Sequence, residues 1–283
     1  MQLLGPLGDP TNYMLNFLIT QAQLLLIFVR WIYGRIMPTT DRMQAFPLYA
    51  KVIRTVITSL RSLMDAKPFI PDGHETMLRC LLVVLLTSLE LIHSQNKEYQ
   101  ANKQSKTDMQ NVGDVFSDVS LMSLGFLPVL CSCVQNNNVA NLSLAVIDTL
   151  LKGFLAPNTW LPVLQNHFPT QCVIGRIQHD GWRDSASVIL NFCLSLARVR
   201  GGAEMLLSAG LFSCLTTFSH VLRDELSLGS GDREGPFSVW HKGRLCDGLW
   251  GLGLAIVTAM VNSLGENDAG VSVLDNGLTY FFF

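Results

Sequence analysis

Charged residues are scarce in this chain, and a concentrated basic region is missing. Only 15% of the 283 residues are charged, against about 25% in an ordinary soluble domain. The formal net charge is −2, and no dense block of lysine and arginine occurs. Because proteins that bind nucleic acid need a basic surface to displace condensed counterions, we expect no direct contact with nucleic acid.

The even cysteine set of a disulfide framework is also missing. The chain has an odd number of cysteines, and most lie in apolar helical stretches: Cys80, Cys131, Cys133, Cys172, Cys193, Cys214 and Cys246. Free, reduced cysteines are typically buried in this way. Residues 1–10 contain no basic segment leading into an apolar run. The sequence therefore predicts a protein of the cytoplasm or nucleus, without a signal peptide or secreted disulfides.

No motif brings together the residues that a catalytic, cofactor or metal site needs. Cys131-x-Cys133 has no further metal ligands nearby in the sequence. No cysteine lies in a sequence signature of a catalytic nucleophile. The sequence does not exclude a catalytic Cys/His pair, because the two residues of such a pair are adjacent only in the folded chain. Gly248-x-x-Gly251-x-Gly253 departs from the dinucleotide-binding pattern, and no strand precedes it. The histidines are scattered: His74, His93, His167, His179, His220 and His241. We expect no catalytic, cofactor-binding or metal-binding residues, no cofactor and no enzyme activity.

Apolar residues recur at helical spacing along most of the chain, and strand-like alternation is rare. Predicted helices cover approximately residues 13–34, 42–65, 74–93, 114–134, 139–154, 185–198, 203–208, 211–224 and 249–264, with a short one near Trp160. In the second helix one apolar stripe runs through Val52, Val56, Leu60 and Leu63. The pattern predicts an all-α protein.

Two apolar stretches, 14–33 and 249–264, approach the length of a membrane span. The first contains Asn16, Gln21 and Arg30, and the second contains Gly251 and Gly253 and is interrupted at Asn262. Central helices of a helical array, covered on two sides, have the same composition. We therefore expect no transmembrane span.

One apolar sequence motif recurs, with differences, in the second half of the chain. It reads GFLPVLCSCV from Gly125 and GLFSCLTTF from Gly210, with a looser version between them. The separation of Gly125 and Gly210 is about twice the ~40–47-residue period of armadillo and HEAT repeats. A polar turn, Asn136–Asn138, follows the first copy. The spacing predicts an irregular α-solenoid of stacked armadillo/HEAT-like helix pairs.

Two polar segments divide the chain. Residues 96–113 have almost nothing to bury and predict a polar linker or loop, while residues 226–247 predict a flexible loop. The expected organisation is N-terminal helical repeats at 1–95 and armadillo/HEAT-like repeats at 114–283. Gly201-Gly202 is expected to end the preceding helix as a C-terminal cap. The apolar residues Tyr280–Phe283 predict a fragment of a longer protein, or an end covered by a partner.

Tryptophans are candidate anchors for a partner peptide, with core packing as the alternative. The candidates are Trp160, Trp182, Trp240 and Trp250. Of these, Trp160 and Trp240 lie beside predicted loop residues, where an aromatic side chain can anchor a partner. Phe237-x-x-Trp240 is expected to be the more exposed candidate. No groove follows from the sequence, so the partner-binding residues stay unknown.

Three stretches within Ser117–Phe283 resemble the C-terminal part of the nucleoporin 188 family. They are SLMSLGFLPVLCSC, LARVRGGAEMLLSAGLFS and LWGLGLAIVTAMVNSLG. Members of that family are large α-helical scaffold proteins of the nuclear pore inner ring, far longer than this chain, and they carry no catalytic residues.

The resemblance implies a structural scaffold segment of the nuclear pore complex, in the nuclear envelope of the nucleus, that supports nucleocytoplasmic transport of protein and mRNA. The implied partners are other nucleoporins in a large multi-subunit assembly. One of them is a nucleoporin 93-type adaptor that joins through short helical segments. The alternative is a soluble armadillo/HEAT-type adaptor or nuclear transport receptor fragment outside the pore. A third hypothesis is an enzyme or a membrane protein.

Overall fold

Helices account for nearly all of the chain that the computed structural model describes, which is residues 10–35, 39–65, 71–102, 106–178, 182–218 and 236–265, with residues 270 and 273. These residues form no strand. The helices are α1 (Pro10–Arg35), α2 (Thr39–Asp65), α3 (Pro71–Asn102), α4 (Lys106–Cys133), α5 (Ala140–Gly153), α6 (Pro157–His167), α7 (Thr170–Gly175), α8 (Trp182–Ala197), α9 (Arg200–Ser208), α10 (helical residues 211–218) and α11 (Pro236–Leu264). A short 3₁₀ helix, Arg176–Gln178, follows α7. The predicted all-α class is confirmed.

The chain divides into two compact units, Met1–Trp160 and Leu161–Phe283. In the first unit, α1 packs on α3 and α3 packs on α5, so each odd-numbered helix contacts the next odd-numbered one. The helix α2 likewise packs on α4. The two sets are joined by contacts of α2 with α3 and of α4 with α5. Each helix of the unit therefore packs against helices one or two places away along the chain.

Apolar stripes at helical spacing build the core of the first unit. On α2, Val56 and Leu60 are buried, as the predicted stripe requires, and Val52 and Leu63 are half-buried. The helix α3 is buried on more than one side: Leu82, Val84, Leu85, Leu89 and Ile92 are at most 1% exposed. A helix that packs on α1, α2 and α5 needs an apolar surface on more than one side.

The predicted polar turn at Asn136–Asn138 lies between α4 and α5. The Asn138 backbone N–H donates to Asn136 Oδ1 at 3.0 Å, and the Asn138 side-chain amide donates to Glu75 Oε2 on α3 at 2.7 Å. Asparagine suits this position because its short amide replaces the missing backbone partners of a turn. The turn thereby holds the α4–α5 pair against α3.

The second unit is organised around α8. This helix packs on α9, on α11 and on the 3₁₀ helix, and α9 also packs on α11. The core-facing residues of α8 are at most 1% exposed: Ala186, Ile189, Leu190, Phe192, Cys193, Leu196 and Ala197. The ring of Phe192 meets the ring of Phe168 at a centroid distance of 4.8 Å and a tilt of 42°. Burial of this one apolar face accounts for the position of α8 at the centre.

Two predicted loops are helical at each of their residues that the structure describes, so the loop prediction is wrong there. Residues 96–102 belong to α3 and residues 106–113 to α4, because the glutamine, lysine and glutamate of this segment are strong helix formers that need no burial. Residues 236–247 form the first part of α11, which begins at Pro236, a residue favoured in the first helical turn. The predicted loop residues 103–105 and 226–235 lie outside the described residues.

The predicted cap at Gly201-Gly202 is also wrong. The helix α8 ends at Ala197, and both glycines lie in the first turn of α9. A Cβ atom at Gly202 would overlap the backbone carbonyl of Leu196, and one at Gly201 would meet the Leu161 side chain. These glycines therefore permit close packing of the helices and do not terminate one.

Two helical segments, Gly73–Ser94 and Gly113–Cys133, are long and apolar enough to cross a bilayer by length and composition alone. More than half of the first segment, 56%, is buried inside the structure, as in the core helix of a soluble protein. Two helices of this kind are weak evidence for a membrane protein, so the absence of a transmembrane span stays a prediction.

Candidate docking surfaces

The Cys131-x-Cys133 motif lies at the end of α4, in the core of the first unit. Both thiols are buried, at 0% and 2% exposure. Burial raises the pKa of Cys131 to about 12 and the pKa of Cys133 to about 11, because the thiolate would lose its hydration. Cys133 Sγ lies 3.9 Å from Met64 Sδ. Thiols held protonated in this way are core residues and poor nucleophiles.

The described residues contain no group of three His, Cys, Asp or Glu side chains that could hold a metal ion. His74 Nε2 lies 2.9 Å from the Leu63 carbonyl oxygen, and the His93 ring lies 6.2 Å from the Phe154 ring. His167 is exposed in the last turn of α6. The side chains of His179, His220 and His241 lie outside the described residues.

The glycines Gly248, Gly251 and Gly253 lie in the interior of α11, with helical residues before and after them. Gly253 is buried, while a Cβ atom at Gly248 or Gly251 would meet nothing within 4 Å. No strand-to-helix turn exists at this position to hold a phosphate group.

The tryptophans differ in what the structure assigns to them. Trp160 is 1% exposed and packs in the core, so it is not an anchor for a partner. Trp250 is half-buried on α11. The side chains of Trp182, Phe237 and Trp240 lie outside the described residues.

The first candidate surface is the outward side of α1, which we call the α1 face. Eight of the eleven large hydrophobic side chains that are exposed among the described residues belong to this helix. The α1 face consists of those with 55% to 63% exposure: Tyr13, Met14, Phe17, Leu24, Ile27, Phe28 and Trp31. Phe28 and Trp31 stack at a centroid distance of 6.2 Å. Large exposed apolar patches of this kind mark interaction sites.

The opposite side of α1 carries its packing onto α3. Ala22 and Val29 are 6% and 2% exposed, and at 100° per residue they lie across the helix from Leu24 and Trp31. The helix is thus apolar on two sides, and only one of them is covered. The spacing of Tyr13, Leu24 and Trp31 was visible in the sequence, but nothing in it distinguishes the covered side from the exposed one.

The second candidate surface is an open groove between α8 and α11, which we call the α8–α11 groove. Its volume is about 600 Å³. It is lined by Leu194, Arg198, Gly251, Leu254, Ala255, Thr258, Ala259, Asn262 and Ser263. Three of the lining residues on α11, Gly251, Ala255 and Ala259, are small and recur every four residues, which allows close approach of another helix. Leu254, 52% exposed, offers an apolar contact.

A third concavity, of about 490 Å³, lies beside α7 and α9. It contains Cys172, which is exposed, but its lining holds no histidine or carboxylate that could activate a thiol: Gln165, Phe168, Pro169, Thr170, Gln171, Cys172, Met205, Ser208 and Ala209. The described residues therefore do not assemble a Cys/His nucleophile at this concavity.

Comparison of the sequence with protein-family models finds no match, and a search of curated proteins finds none either. The resemblance to the nucleoporin 188 family accordingly stays a hypothesis drawn from the three quoted stretches.

Proposed function

We propose that this chain is a structural scaffold segment of the nuclear pore complex, an irregular α-solenoid that binds other nucleoporins through its surface. The observation that carries the proposal is the helix packing of the first unit. There α1, α3 and α5 contact one another in succession, and α2 and α4 form a second set beside them. This two-layer order is typical of stacked armadillo and HEAT helix pairs.

The surfaces of the second unit fit the same role. The α8–α11 groove is shallow and open, with an apolar contact at Leu254 and a polar end at Arg198 and Asn262. Amphipathic helices bind in grooves between helices of this kind. The resemblance to the nucleoporin 188 family names the occupant, a short helical segment of a nucleoporin 93-type adaptor.

The buried thiols favour a scaffold over an enzyme. Cys131 and Cys133 stay protonated far above neutral pH, so neither supplies a nucleophile. The only well-exposed thiol among the described residues, Cys172, lies in a concavity without a base. Binding by surface, without chemistry, is the activity that this arrangement supports best.

Localisation and capture test the proposal together. We expect the fluorescently tagged full chain to stain the nuclear rim, and affinity capture to recover inner-ring nucleoporins above all other proteins. Diffuse cytosolic signal with transport cargo among the captured proteins would instead support the soluble adaptor or transport receptor. Release of the chain by carbonate extraction separates both from a membrane protein, which would stay in the pellet.

A further inference from the structure

The α1 face has the spacing of a coiled-coil seam. Along it, steps of four and three residues alternate through Tyr13, Phe17, Thr20, Leu24, Ile27 and Trp31. In a heptad pattern such positions interlock with those of a second helix. We propose that the α1 face binds the α1 face of a second copy of this chain, in antiparallel orientation. This self-association goes beyond the scaffold role and does not depend on it.

The area of the α1 face matches what one partner contributes to a stable complex. Its four aromatic side chains are 55% to 60% exposed. At about 150–250 Å² for each aromatic side chain, the rings and the three aliphatic side chains together present on the order of 700 Å². The largest apolar patch of a typical monomer is about 300–600 Å², and a standard interface buries about 800 Å² on each partner.

The order of side chains along the seam is self-complementary. An antiparallel partner centred on residue 22 places Tyr13 opposite Trp31 of the other copy. The same register places Phe17 opposite Ile27 and Thr20 opposite Leu24. The total side-chain volume then varies less from layer to layer than in a parallel pair. Parallel pairing would set Trp31 against Trp31 in one layer and Thr20 against Thr20 in another. The more uniform layer volumes favour the antiparallel arrangement, because core-like packing tolerates neither voids nor overlap.

The two edges of the seam favour the same orientation. One edge carries Asn16 and Arg30, and the other carries Met14 and Phe28, with Gln21 between them. In antiparallel pairing the polar edge of one copy lies beside the polar edge of the other, so Arg30 lies near Asn16 of the second copy. The two apolar edges likewise lie side by side, so Met14 lies near Phe28 of the second copy. Parallel pairing would set the charged edge against the apolar one, at the cost of desolvating Arg30.

The one polar position of the seam is already satisfied within α1. Thr20 Oγ1 donates to the Asn16 carbonyl oxygen at 2.8 Å. A hydroxyl that is hydrogen-bonded in its own helix enters an apolar interface without a large penalty. The full length of the α1 face is therefore compatible with burial against a second copy.

The oligomeric state of the full chain tests the proposal. By sedimentation velocity at about 50 µM, above the weak limit for interfaces of this size, we expect a dimer. Leu24→Glu should weaken dimerisation at least about 100-fold, because two carboxylates per dimer would be desolvated. Leu121→Glu, at a 71% exposed position on α4, is the matched control and should leave the dimer intact. A monomeric wild-type chain, a dimeric Leu24→Glu variant or a monomeric Leu121→Glu variant would each overturn the proposal.

Cross-linking tests the orientation. In a Cys172→Ser background, Gln21→Cys lies near the dimer axis and should be joined to itself by a short bis-maleimide. Asn16→Cys should not, since in the antiparallel register centred on residue 22 it lies about 18 Å along the helix axis from its own copy, at a rise of 1.5 Å per residue. It should instead link to Arg30→Cys when the two variants are mixed. Efficient self-linking of Asn16→Cys, or none at Gln21→Cys, contradicts antiparallel pairing even if the chain dimerises.

Discussion

Ser263 on α11 donates a hydrogen bond from its hydroxyl to the backbone carbonyl oxygen of Ala197, the last residue of α8, at 2.7 Å. The last carbonyls of a helix have no partner within it, so a side chain from a neighbouring helix can supply one. The contact fastens α11 to α8 at one end of the α8–α11 groove. It also gives a packing role to a segment whose composition alone resembles a short membrane span.

Replacing Ser263 tests this contact. Ser263→Ala removes a half-buried donor and should lower the free energy of unfolding by about 1 kcal/mol. Urea denaturation measures the change. Ser208→Ala is the control, because Ser208 is exposed and bonds only to Met205 within its own helix. Equal losses in the two variants would mean that the bond to Ala197 adds nothing.

Close packing of α5 on α3 makes a second prediction. A Cβ atom at Gly153 would overlap the imidazole of His93, so Gly153→Ala should destabilise the chain by about 1–3 kcal/mol. Gly248→Ala, in open space on α11, should instead stabilise it by up to about 1 kcal/mol, the ordinary gain in helix propensity. Thermal and urea unfolding of both variants give the comparison. A neutral Gly153→Ala variant would show that the His93 ring moves freely.

Gly210 tests backbone conformation in isolation from packing. Its φ is +77°, and a Cβ atom there would meet nothing within 4 Å. Gly210→Ala should therefore cost about 1–2 kcal/mol through left-handed strain alone, and Gly210→Asn should cost less. The ratio of the two losses in urea denaturation is the measurement. If asparagine proves as costly as alanine, strain at this turn is not the cause.

The buried thiols make the protein sensitive to alkali. In the folded chain the pKa of Cys131 is about 12 and that of Cys133 about 11, against 9.0 for an unperturbed thiol. Above about pH 9 the unfolded chain loses these protons while the folded chain keeps them. The free energy of unfolding should then fall as pH rises toward 11, by up to about 1.4 kcal/mol per pH unit for each thiol.

Urea titrations between pH 7 and pH 11 check this slope, with a Cys131→Ala/Cys133→Ala chain as the reference for all other titrating groups. At pH 8, peptide mapping after alkylation should find Cys172 modified in the native state and Cys131 and Cys133 modified only after unfolding. Rapid labelling of Cys131 in the native chain would contradict its burial.

The α8–α11 groove yields a prediction about partner binding that rests on the proposed function. Leu254→Glu places a charge at the apolar contact of the groove and should raise the Kd for a nucleoporin 93-type adaptor segment at least about tenfold, or about 1.4 kcal/mol. Calorimetry measures the Kd. Leu121→Glu, at a leucine in the other unit that is more exposed than Leu254, should leave it unchanged. Adaptor binding that tolerates Leu254→Glu would place the docking site elsewhere.

The two glycines that begin the recurring sequence motif, Gly125 and Gly210, differ in backbone conformation although their sequence context is similar. Gly125 lies in the interior of α4, where a Cβ atom would come within 3.3 Å of the Arg61 guanidinium, whereas Gly210 forms the left-handed turn between α9 and α10. The same letters in the same apolar context thus serve different backbone conformations. The backbone conformation of a glycine depends on the positions of the flanking helices, and the motif alone does not determine those positions.

The sequence by itself determined the all-α class and the faces of the helices that are apolar, because apolar spacing is a local property of the chain. The stripe on α2 and the burial of α3 on more than one side follow from that spacing. Only the tertiary structure decided which apolar faces are covered. On α1, Val29 is buried on the side that packs on α3, while Trp31, two residues away, is 55% exposed. Trp160 is buried although a predicted loop adjoins it. Burial is a property of neighbours brought together in space, and the periodicity of one helix does not identify its neighbours.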